Sequence, residues 1–281
     1  MPPAIGLIVT GANTLRDYKI FVKTLEVWHP DAELYIFTDS AWDSHIKALK
    51  TSLKVQTRTE LDKYTGKTRA EMEAVDGKIY KTLWTDFMYE KAAVLDWMFE
   101  ACSHAAEGLW FMDADICHLA PLPSVPESAT VGLCPHYIRE ADWKRFGKYN
   151  GGFMWIKDRS LLDIWKTAGH TARYFEQSAM EVMGTAAGDK LYEFPIQVNF
   201  GWWRMIQSPL APPEVQKKFT IYRPDKSVGV RYDGVALQSV HTHWYETSAA
   251  NGAEFNRWFG DFIRKLASHP PMRNFIKTIG I

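Results

Sequence analysis

Two aspartates follow a short apolar run near the middle of the chain. The run Leu109–Met112, within Gly-Leu-Trp-Phe-Met-Asp-Ala-Asp-Ile (108–116), is typical of a strand buried on both faces. Because side chains two positions apart on a strand share a side, Asp113 and Asp115 can face one ion or one diphosphate. Two carboxylates with open coordination positions suit Mg²⁺ or Mn²⁺ held jointly with substrate phosphates. The alternative is a solvated turn, because Asp-x-Asp triplets are common.

Two histidines lie two positions apart late in the chain, in Val-Ala-Leu-Gln-Ser-Val-His-Thr-His-Trp (235–244). On the strand that this pattern predicts, His241 and His243 share one side. Imidazole is an acceptable ligand for manganese beside carboxylates and a less natural one for magnesium. His241 is favoured as a ligand because it follows the apolar stretch directly. A structural role for the pair is the alternative.

A lysine falls within the apolar stripe of the helix predicted over residues 80–102. On a helical projection, Lys91 lies on the same side as Trp84 and Leu95. A buried ammonium without a partner is costly, so this side chain must meet an anion or reach solvent. An ion pair with a core carboxylate is one way to satisfy it.

Strands alternate with helices in the part of the chain that must position these residues. The predicted strands are Ala4–Thr10, Glu33–Thr38, Lys54–Thr57, Leu109–Asp115, Val131–Cys134 and Gly152–Ile156, and the predicted helices are Leu15–Trp28, Trp42–Leu49, Tyr80–Cys102, Leu161–Phe175 and Ala253–Ala267. This alternation predicts an α/β fold with a mostly parallel central sheet flanked by helices. Ligands of such sheets bind at the carboxyl ends of the strands, which is where the two aspartates fall. Residues 59–79 are expected to form a polar excursion.

The composition is that of an ordinary globular protein. Of the 281 residues, 46% are hydrophobic and 23% are charged, which excludes wholesale disorder. Lys plus Arg and Asp plus Glu both number 33, so no global basic field is present to hold nucleic acid or an anionic membrane. The three cysteines form no Cys-x-x-Cys pair and are expected to be core residues. The absence of a signal-peptide pattern and of a long apolar run predicts a cytoplasmic protein with no membrane span.

The ordered series of these motifs resembles the nucleotide-sugar-dependent glycosyltransferases of the GT-A fold, broadly those of glycosyltransferase family 8. Residues 7–14 resemble the first strand and the loop that cradles the nucleotide, residues 34–39 resemble the second strand, and residues 149–156 resemble the Asn-Gly-Gly strand of the donor-sugar pocket. In these enzymes an Asp-x-Asp motif binds a divalent metal that bridges the donor diphosphate. The resemblance therefore implies a single Rossmann-like GT-A domain.

The resemblance also implies that successive parts of the chain bind different substrates. A nucleotide-binding half over about residues 1–120 would precede an acceptor-binding half over about residues 121–250 and a C-terminal helix over about residues 251–281. The implied reaction is the transfer of a hexose or pentose from a UDP- or GDP-sugar to a hydroxyl acceptor such as a glycan, with Mn²⁺ or Mg²⁺ as cofactor. Stereochemistry and oligomeric state stay open.

The resemblance implies roles for individual residues. Those implied for donor binding are Thr10, Gly11, Asn13, Asp39, Lys91, Asp113, Ala114, Asn150, Gly151 and Gly152. Those implied for the metal are Asp113, Asp115 and one or both of His241 and His243. The candidates for catalysis, chosen by position, are Asp189, Glu193 and Gln197.

Two other classes of protein fit parts of the pattern. A phosphohydrolase could use a strand-terminal Asp-x-Asp with one aspartate as nucleophile, although that motif usually follows the first strand of the fold. A non-catalytic carbohydrate-binding protein could use the many aromatic residues, which make up 14% of the chain and include 12 Trp. Such a protein would not need two carboxylates and a histidine pair at one sheet edge.

Overall fold

The computed structural model describes residues 1–222, 229–244 and 252–268, together with residues 273, 276 and 277. Its strands are β1 (Ala4–Val9), β2 (Glu33–Thr38), β3 (Lys54–Arg58), β4 (Leu109–Met112), β5 (Ile116–His118), β6 (Val131–Pro135), β7 (Tyr149–Ile156), β8 (Leu191–Glu193), β9 (Phe200–Gly201), β10 (Phe219–Tyr222), β11 (Gly229–Tyr232), β12 (Val235–Ala236) and β13 (Ser239–His241). Its α-helices are α1 (Ala12–Trp28), α2 (Asp43–Lys47), α3 (Arg69–Glu73), α4 (Leu83–Ala101), α5 (Glu140–Phe146), α6 (Ser160–Gly169), α7 (Met180–Ala187), α8 (Trp203–Ile206), α9 (Pro212–Lys217) and α10 (Ala253–Arg264). Short 3₁₀ turns cover Asp62–Tyr64, Ala105–Glu107, Gly188–Lys190 and Lys265–Ser268.

The main sheet of the described residues has seven strands in the order β3-β2-β1-β4-β7-β6-β8. Strands β3, β2, β1 and β4 are parallel to one another, and β8 is parallel to β6. Only β7 runs against its two neighbours, β4 and β6. The predicted α/β fold with a mostly parallel central sheet is therefore confirmed. Because β7 is reversed, its first residues lie beside the carboxyl end of β4.

Helices cover both faces of this sheet, because its strands are apolar on both sides. On β2, Tyr35 and Phe37 pack into a core with side chains of α4, whereas Leu34 and Ile36 pack into a second core with side chains of α1. Full burial of each such side chain contributes roughly 1.5–3 kcal/mol. The two cores fix the edge of the sheet at which β1 and β4 end.

A smaller sheet joins the end of β4 to the late part of the chain. Its order is β5-β13-β9, with β13 antiparallel to β5 and parallel to β9. A third core supports it, in which Phe255 and Phe259 of α10 pack with Phe200 and Val240. This arrangement explains how residues near position 241 reach residues near position 115.

Several predicted boundaries differ from the structure. Helix α4 begins at Leu83 rather than residue 80, because Thr82 is extended and its side chain accepts a hydrogen bond from the Thr85 amide. Helix α6 ends at Gly169 rather than residue 175. Of the residues that follow, Phe175 and Glu176 contact Trp84 and Lys91 of α4. The strand predicted across residues 235–244 is divided into β12 and β13, so His243 lies beyond the strand.

The predicted polar excursion at residues 59–79 packs onto the protein. It includes the 3₁₀ turn at Asp62–Tyr64 and helix α3, whose capping box joins Thr68 and Glu71. Its side chains Leu61, Tyr64 and Met72 are buried in the core that contains α4. The excursion therefore becomes part of the wall beside α4.

Candidate active site

The two aspartates lie in the turn that follows β4. The Asp113 amide donates a hydrogen bond to the Gly152 carbonyl at 2.8 Å, which continues the β4–β7 pairing by one residue. A Cβ atom at position 152 would collide with the Asp113 carboxylate and the His241 ring. A residue without a side chain is thus required here for these two groups to come together.

His241 reaches the aspartates through the pairing of β13 with β5. It lies opposite Ile116, and the next amide, of Thr242, donates to the Asp115 carbonyl at 3.0 Å. Its Nε2 atom is 3.0 Å from Asp115 Oδ1 and 3.7 Å from Asp113 Oδ2. One ligand atom from each of these three residues lies within 4.8 Å of the others. The structure therefore brings together Asp113, Asp115 and His241.

The rest of the His241 ring is held by amide side chains. Its Nδ1 atom lies 3.2 Å from Asn199 Oδ1, and the Asn199 amide nitrogen donates to Asn150 Oδ1 at 3.0 Å. An Nδ1–H that donates to Asn199 leaves Nε2 directed at the two carboxylates. An outer hydrogen bond of this kind orients a metal-binding imidazole. Two carboxylates and an imidazole so arranged fit Mn²⁺ or Mg²⁺.

His243 lies between Asp17 and Asp115 and is not grouped with the three possible metal ligands. Its Nδ1 atom is 2.8 Å from Asp17 Oδ2, and its Nε2 atom is 3.5 Å from Asp115 Oδ2. The charges of Asp115 and Asp17 raise the pKa of His243, and partial burial lowers it. The net result is a pKa of about 9. Burial raises the pKa of Asp115, but His241 and His243 outweigh that effect and hold it below its ordinary value. In the protein without metal, His243 is therefore an imidazolium between two carboxylates at neutral pH.

Lys91 is buried and has partners within the protein. Its Nζ atom lies 3.0 Å from Glu176 Oε1 and 3.3 Å from Asp113 Oδ1, and it donates to the Gly151 carbonyl at 3.1 Å. Burial lowers the pKa of Lys91, but Asp113 and Glu176 more than compensate, and the net shift is upward. Of the two expectations for this residue, the structure shows the ion pair with a core carboxylate. A contact with donor phosphate stays a prediction.

A cavity of about 680 Å³ opens above these groups. Its acidic side includes Asp17, Asp113 and Asp115, whereas much of the remaining wall is aromatic. Residues of that aromatic wall are Trp84, Phe87, Phe146, Tyr174, Trp202 and Trp203. A cavity of this size that combines apolar walls with a few converging polar groups is typical of a small-molecule site.

Only some of the residues predicted to bind the donor line this cavity. Thr10, Ala114 and Asn150 line it, as does Lys91. Asp39 is completely buried, accepts a hydrogen bond from the Thr10 hydroxyl and accepts another from the Ala41 amide at 2.9 Å. Asp39 therefore supports Thr10 and the turn that precedes α2.

Two other predicted donor residues, Gly11 and Asn13, are not among the residues that line the cavity. Gly11 precedes helix α1 with a φ of 82°, and Asn13 accepts a hydrogen bond from Arg16 at 2.7 Å. Gly151 and Gly152 bring backbone close to Lys91 and Asp113. These two glycines thus let the backbone approach groups of the protein itself, and their contact with a donor stays a prediction.

The three residues proposed for catalysis by position do not line the cavity. Asp189 is an exposed residue of a 3₁₀ turn. Glu193 accepts a hydrogen bond from the Tyr149 hydroxyl at 2.6 Å and pairs with Lys148 at 2.6 Å. Gln197 is buried and donates to the Tyr232 carbonyl at 3.0 Å. Nothing in this irregular segment indicated that β8 would pair with β6, which carries Asp189 and Glu193 to an edge of the sheet.

The structure adds several residues that the sequence analysis did not single out for the site. Asp17 lines the cavity from α1, and Gln177 lines it from the turns after α6. Glu176 pairs with Lys91, and Asn199 holds His241. A charged residue within the apolar pattern of α1 was the available signal for Asp17. The others lie in irregular sequence, which has no periodicity to interpret.

His136 contributes a neutral imidazole to the cavity wall. Its Nδ1 atom is 2.8 Å from the Gly147 carbonyl, and its ring packs edge-on against Trp203. Burial lowers its pKa to about 4, although the bond to Gly147 opposes the shift. With Nδ1 protonated toward that carbonyl, the uncharged ring keeps Nε2 as an acceptor.

Comparisons with known proteins bear on the fold. No protein-family model matches the chain, and no curated protein matches it in sequence. Solved structures do match it. Mouse xyloside xylosyltransferase 1 has 12% identity and a TM-score of 0.51, with 85% of this chain and 97% of that chain covered. The galactosyltransferase LgtC, solved with donor and acceptor sugar analogues, has 12% identity and a TM-score of 0.54, with 99% and 95% covered.

These likenesses show that the chain has the GT-A fold of these glycosyltransferases. A second LgtC structure, of an active-site mutant, agrees, with 13% identity and a TM-score of 0.53 over 92% of this chain and 95% of that chain. Among the described residues, none of the helices combines the length and the apolar character that crossing a membrane requires.

Proposed function

We propose that this protein is a metal-dependent glycosyltransferase that moves a sugar from a nucleoside diphosphate sugar to a hydroxyl acceptor such as a glycan. The observation that carries the proposal is the convergence of Asp113, Asp115 and His241 at one side of a large cavity. This convergence occurs at the carboxyl end of β4, the edge at which open α/β sheets bind their ligands. The GT-A fold supports the same interpretation.

Asp113, Asp115 and His241 would hold the ion, and Mn²⁺ suits this mixture of carboxylates and imidazole better than Mg²⁺ does. When bound, the ion supplies Lewis acidity that neutralises charge on a diphosphate leaving group. His243 and Asp17 form a neighbouring pair that orients Asp115. A UDP- or GDP-sugar is the donor class that we propose.

Lys91 and Glu176 position this site from beneath. The Lys91 ammonium contacts one oxygen of Asp113 and His241 faces the other, so the Asp113 carboxylate is restrained before any ligand binds. Thr10, Thr14 and Ala114 line the cavity near the end of β1 and are the residues we assign to donor contact. Together these residues provide an ordered polar surface for a diphosphate.

The aromatic wall is the surface that we assign to the acceptor. Trp202 and Trp203 belong to this wall, and His136 and Gln207, which also line the cavity, contact Trp203. Flat aromatic faces pack well against the apolar faces of sugar rings, and polar tips can bind their hydroxyls. His136 presents a fixed acceptor, because its other nitrogen is bonded to the Gly147 carbonyl.

The test is an assay of sugar transfer from a panel of UDP- and GDP-sugars to simple sugars. The quantity measured is the nucleoside diphosphate released, once with Mn²⁺ and once with excess chelator. We expect metal-dependent release that Asp115→Asn reduces by at least about 100-fold, as loss of one preorganised electrostatic contact does in other enzymes. Glu60→Gln changes an exposed acid elsewhere and should retain full activity. Release of inorganic phosphate instead would indicate a phosphohydrolase. Sugar binding that needs neither metal nor nucleotide would indicate a carbohydrate-binding protein.

A further inference from the structure

We infer that the protein has a second cation site, formed by Glu33, Cys102 and His104, which takes a borderline-soft divalent ion of the zinc type. Glu33 is the first residue of β2, Cys102 directly follows α4, and His104 lies two residues further on, before β4. The carboxyl ends of β1, β2 and β4 face the cavity, so this cluster lies at the opposite edge of the sheet. The inference is independent of the proposed function.

The three side chains converge as metal ligands do. One ligand atom of each lies within 4.8 Å of the others. A thiolate, an imidazole and a carboxylate are the donor types that zinc accepts, and three protein ligands leave a fourth position for a water molecule. The sulfur donor distinguishes this cluster from the cavity site, whose oxygen and nitrogen donors suit a harder ion.

An unsatisfied polar atom points to the same conclusion. His104 Nε2 is buried and has no hydrogen-bond partner among the described residues. Leaving a buried polar nitrogen without a partner is costly, and most buried polar atoms of native proteins are therefore paired. A bound cation would give the His104 ring a partner.

The surroundings are compatible with a bound cation. The Tyr35 hydroxyl lies 3.4 Å from Glu33 Oε2 and also interacts with Cys102. The Tyr35 hydroxyl is thus placed to donate to the Glu33 carboxylate. Lys54 pairs with Glu33 Oε1 at 2.9 Å, but its side chain is 66% exposed. The Glu33 side chain is 15% exposed, but the long Lys54 side chain can turn its ammonium to solvent and leave the carboxylate to an ion.

Cobalt(II) is the probe, because a thiolate bound to cobalt gives a charge-transfer band in the near ultraviolet. We expect the metal-free full-length protein to develop this band on titration with Co²⁺ and to lose it when Zn²⁺ is added. Cys102→Ser should abolish the band. His104→Gln should weaken cobalt affinity by at least about 100-fold, since even outer-shell losses at metal sites cost about 10–100-fold.

Matched variants separate this site from the cavity and from general effects. His45→Gln replaces an exposed histidine and should leave the titration unchanged. Asp115→Asn should weaken Mn²⁺ binding and leave the thiolate band intact. Circular dichroism would verify that each variant is folded, and His104→Gln keeps the test decisive if buried Cys102 tolerates no change. A folded wild-type protein without the band at saturating cobalt, or a band that survives Cys102→Ser, would overturn the inference.

Discussion

Asp113 takes part in two interactions, one through each oxygen of its carboxylate. One oxygen pairs with Lys91 Nζ at 3.3 Å, and the other lies 3.7 Å from His241 Nε2. Asp113 can therefore keep its contact with Lys91 while its second oxygen is available to an ion. The buried pair formed by Lys91 and Glu176 then acts as a fixed support, which stabilises the site only while both charges are present.

Removal of the Lys91 charge should destabilise the protein. Lys91→Met leaves Glu176 buried without its cation, and breaking a buried ion pair costs about 3–5 kcal/mol. The double variant Lys91→Met/Glu176→Met removes both charges and should recover most of that loss. Urea denaturation of the two variants and the wild type measures the difference. Equal stability of Lys91→Met and the wild type would contradict the structural role of this pair.

The same double variant tests the predicted contact between Lys91 and donor phosphate. If Lys91 also binds the diphosphate, the free energy of UDP binding in the presence of Mn²⁺ should weaken in this variant by about 1.5–3 kcal/mol. This is the usual contribution of a charge-assisted hydrogen bond. Calorimetric titration at fixed Mn²⁺ gives this number directly. Unchanged affinity would remove Lys91 from the donor-binding residues and leave it a positioning role.

His243 should make metal binding depend on pH. Its pKa of about 9 in the metal-free protein is above the ordinary value, so its ion pairs with Asp115 and Asp17 stabilise the fold fully below about pH 6.5. That contribution is lost as pH rises through about 9. A cation beside Asp115 disfavours the imidazolium, so its binding releases a proton. We expect Mn²⁺ affinity to rise between pH 6.5 and 8.5, by at most about tenfold per unit for one proton.

Calorimetry in two buffers of different ionisation enthalpy would count the protons released on Mn²⁺ binding. His243→Gln should flatten the pH dependence across this range. A dependence that is equally steep in this variant would assign the proton to another group.

At the scale of elements, the reversed strand β7 builds the site. Its antiparallel pairing with β4 places Gly152 beside Asp113, and its pairing with β6 is shifted between Leu133 and Cys134. A parallel strand would begin at the opposite edge of the sheet, far from the aspartates. The order of strands and the direction of β7 thus decide which residues surround the ion.

A methyl group at position 152 should disrupt the ion site and leave the fold intact. In Gly152→Ala the new Cβ would collide with Asp113 and His241, so one of them must move. We expect Mn²⁺ affinity to fall at least about tenfold, because ligand geometry is held by such contacts. Gly260→Ala is the matched control, since a Cβ there has open space within α10 and should stabilise by about 0.5–1 kcal/mol. Wild-type Mn²⁺ affinity in Gly152→Ala would contradict this account.

The regular elements could be predicted from the sequence because their patterns are local. The run Leu109–Met112 and the alternation of strands with helices indicated a buried, mostly parallel sheet, and the position of Asp113 and Asp115 at the end of a strand followed from it. The direction of β7 could not be predicted, because a run buried on both faces looks the same in either direction.

The catalytic candidates illustrate the limit of reasoning by position. Glu193 and Asp189 were chosen from an irregular segment in which neither charge nor periodicity determines the neighbours. The partners of Lys91 and His241, namely Glu176 and Asn199, lie 85 and 42 residues away along the chain. Only the tertiary structure brings such residues together.

At the scale of the whole molecule, the distribution of charge explains why metal and nucleotide should depend on each other. The net formal charge is zero, so no general field attracts an anionic ligand. The cavity is lined by Asp17, Asp113 and Asp115, and also by three cationic side chains that already have partners: Lys91 pairs with Asp113 and Glu176, Arg69 with Glu73, and His243 with Asp17. A nucleoside diphosphate alone would therefore meet paired cations beside the carboxylates of Asp113 and Asp115. Bound Mn²⁺ would add two positive charges beside those carboxylates, and by thermodynamic linkage the nucleotide must strengthen Mn²⁺ binding by the same factor.

This linkage predicts the response of the folded protein to the two ligands. UDP or GDP without metal should leave the melting temperature nearly unchanged, because repulsion by the acidic side of the cavity opposes binding. With Mn²⁺ present, a nucleoside diphosphate at 100 times its dissociation constant should stabilise the fold by about 2.7 kcal/mol. For a chain of this size such a gain raises the melting temperature by at least several degrees. Asp115→Asn should abolish the part of the melting-temperature shift that requires both Mn²⁺ and nucleotide, whereas Glu60→Gln should retain it. An equal shift with nucleotide alone would show that the carboxylates do not govern donor binding, and a shift with free sugar alone would favour a carbohydrate-binding protein.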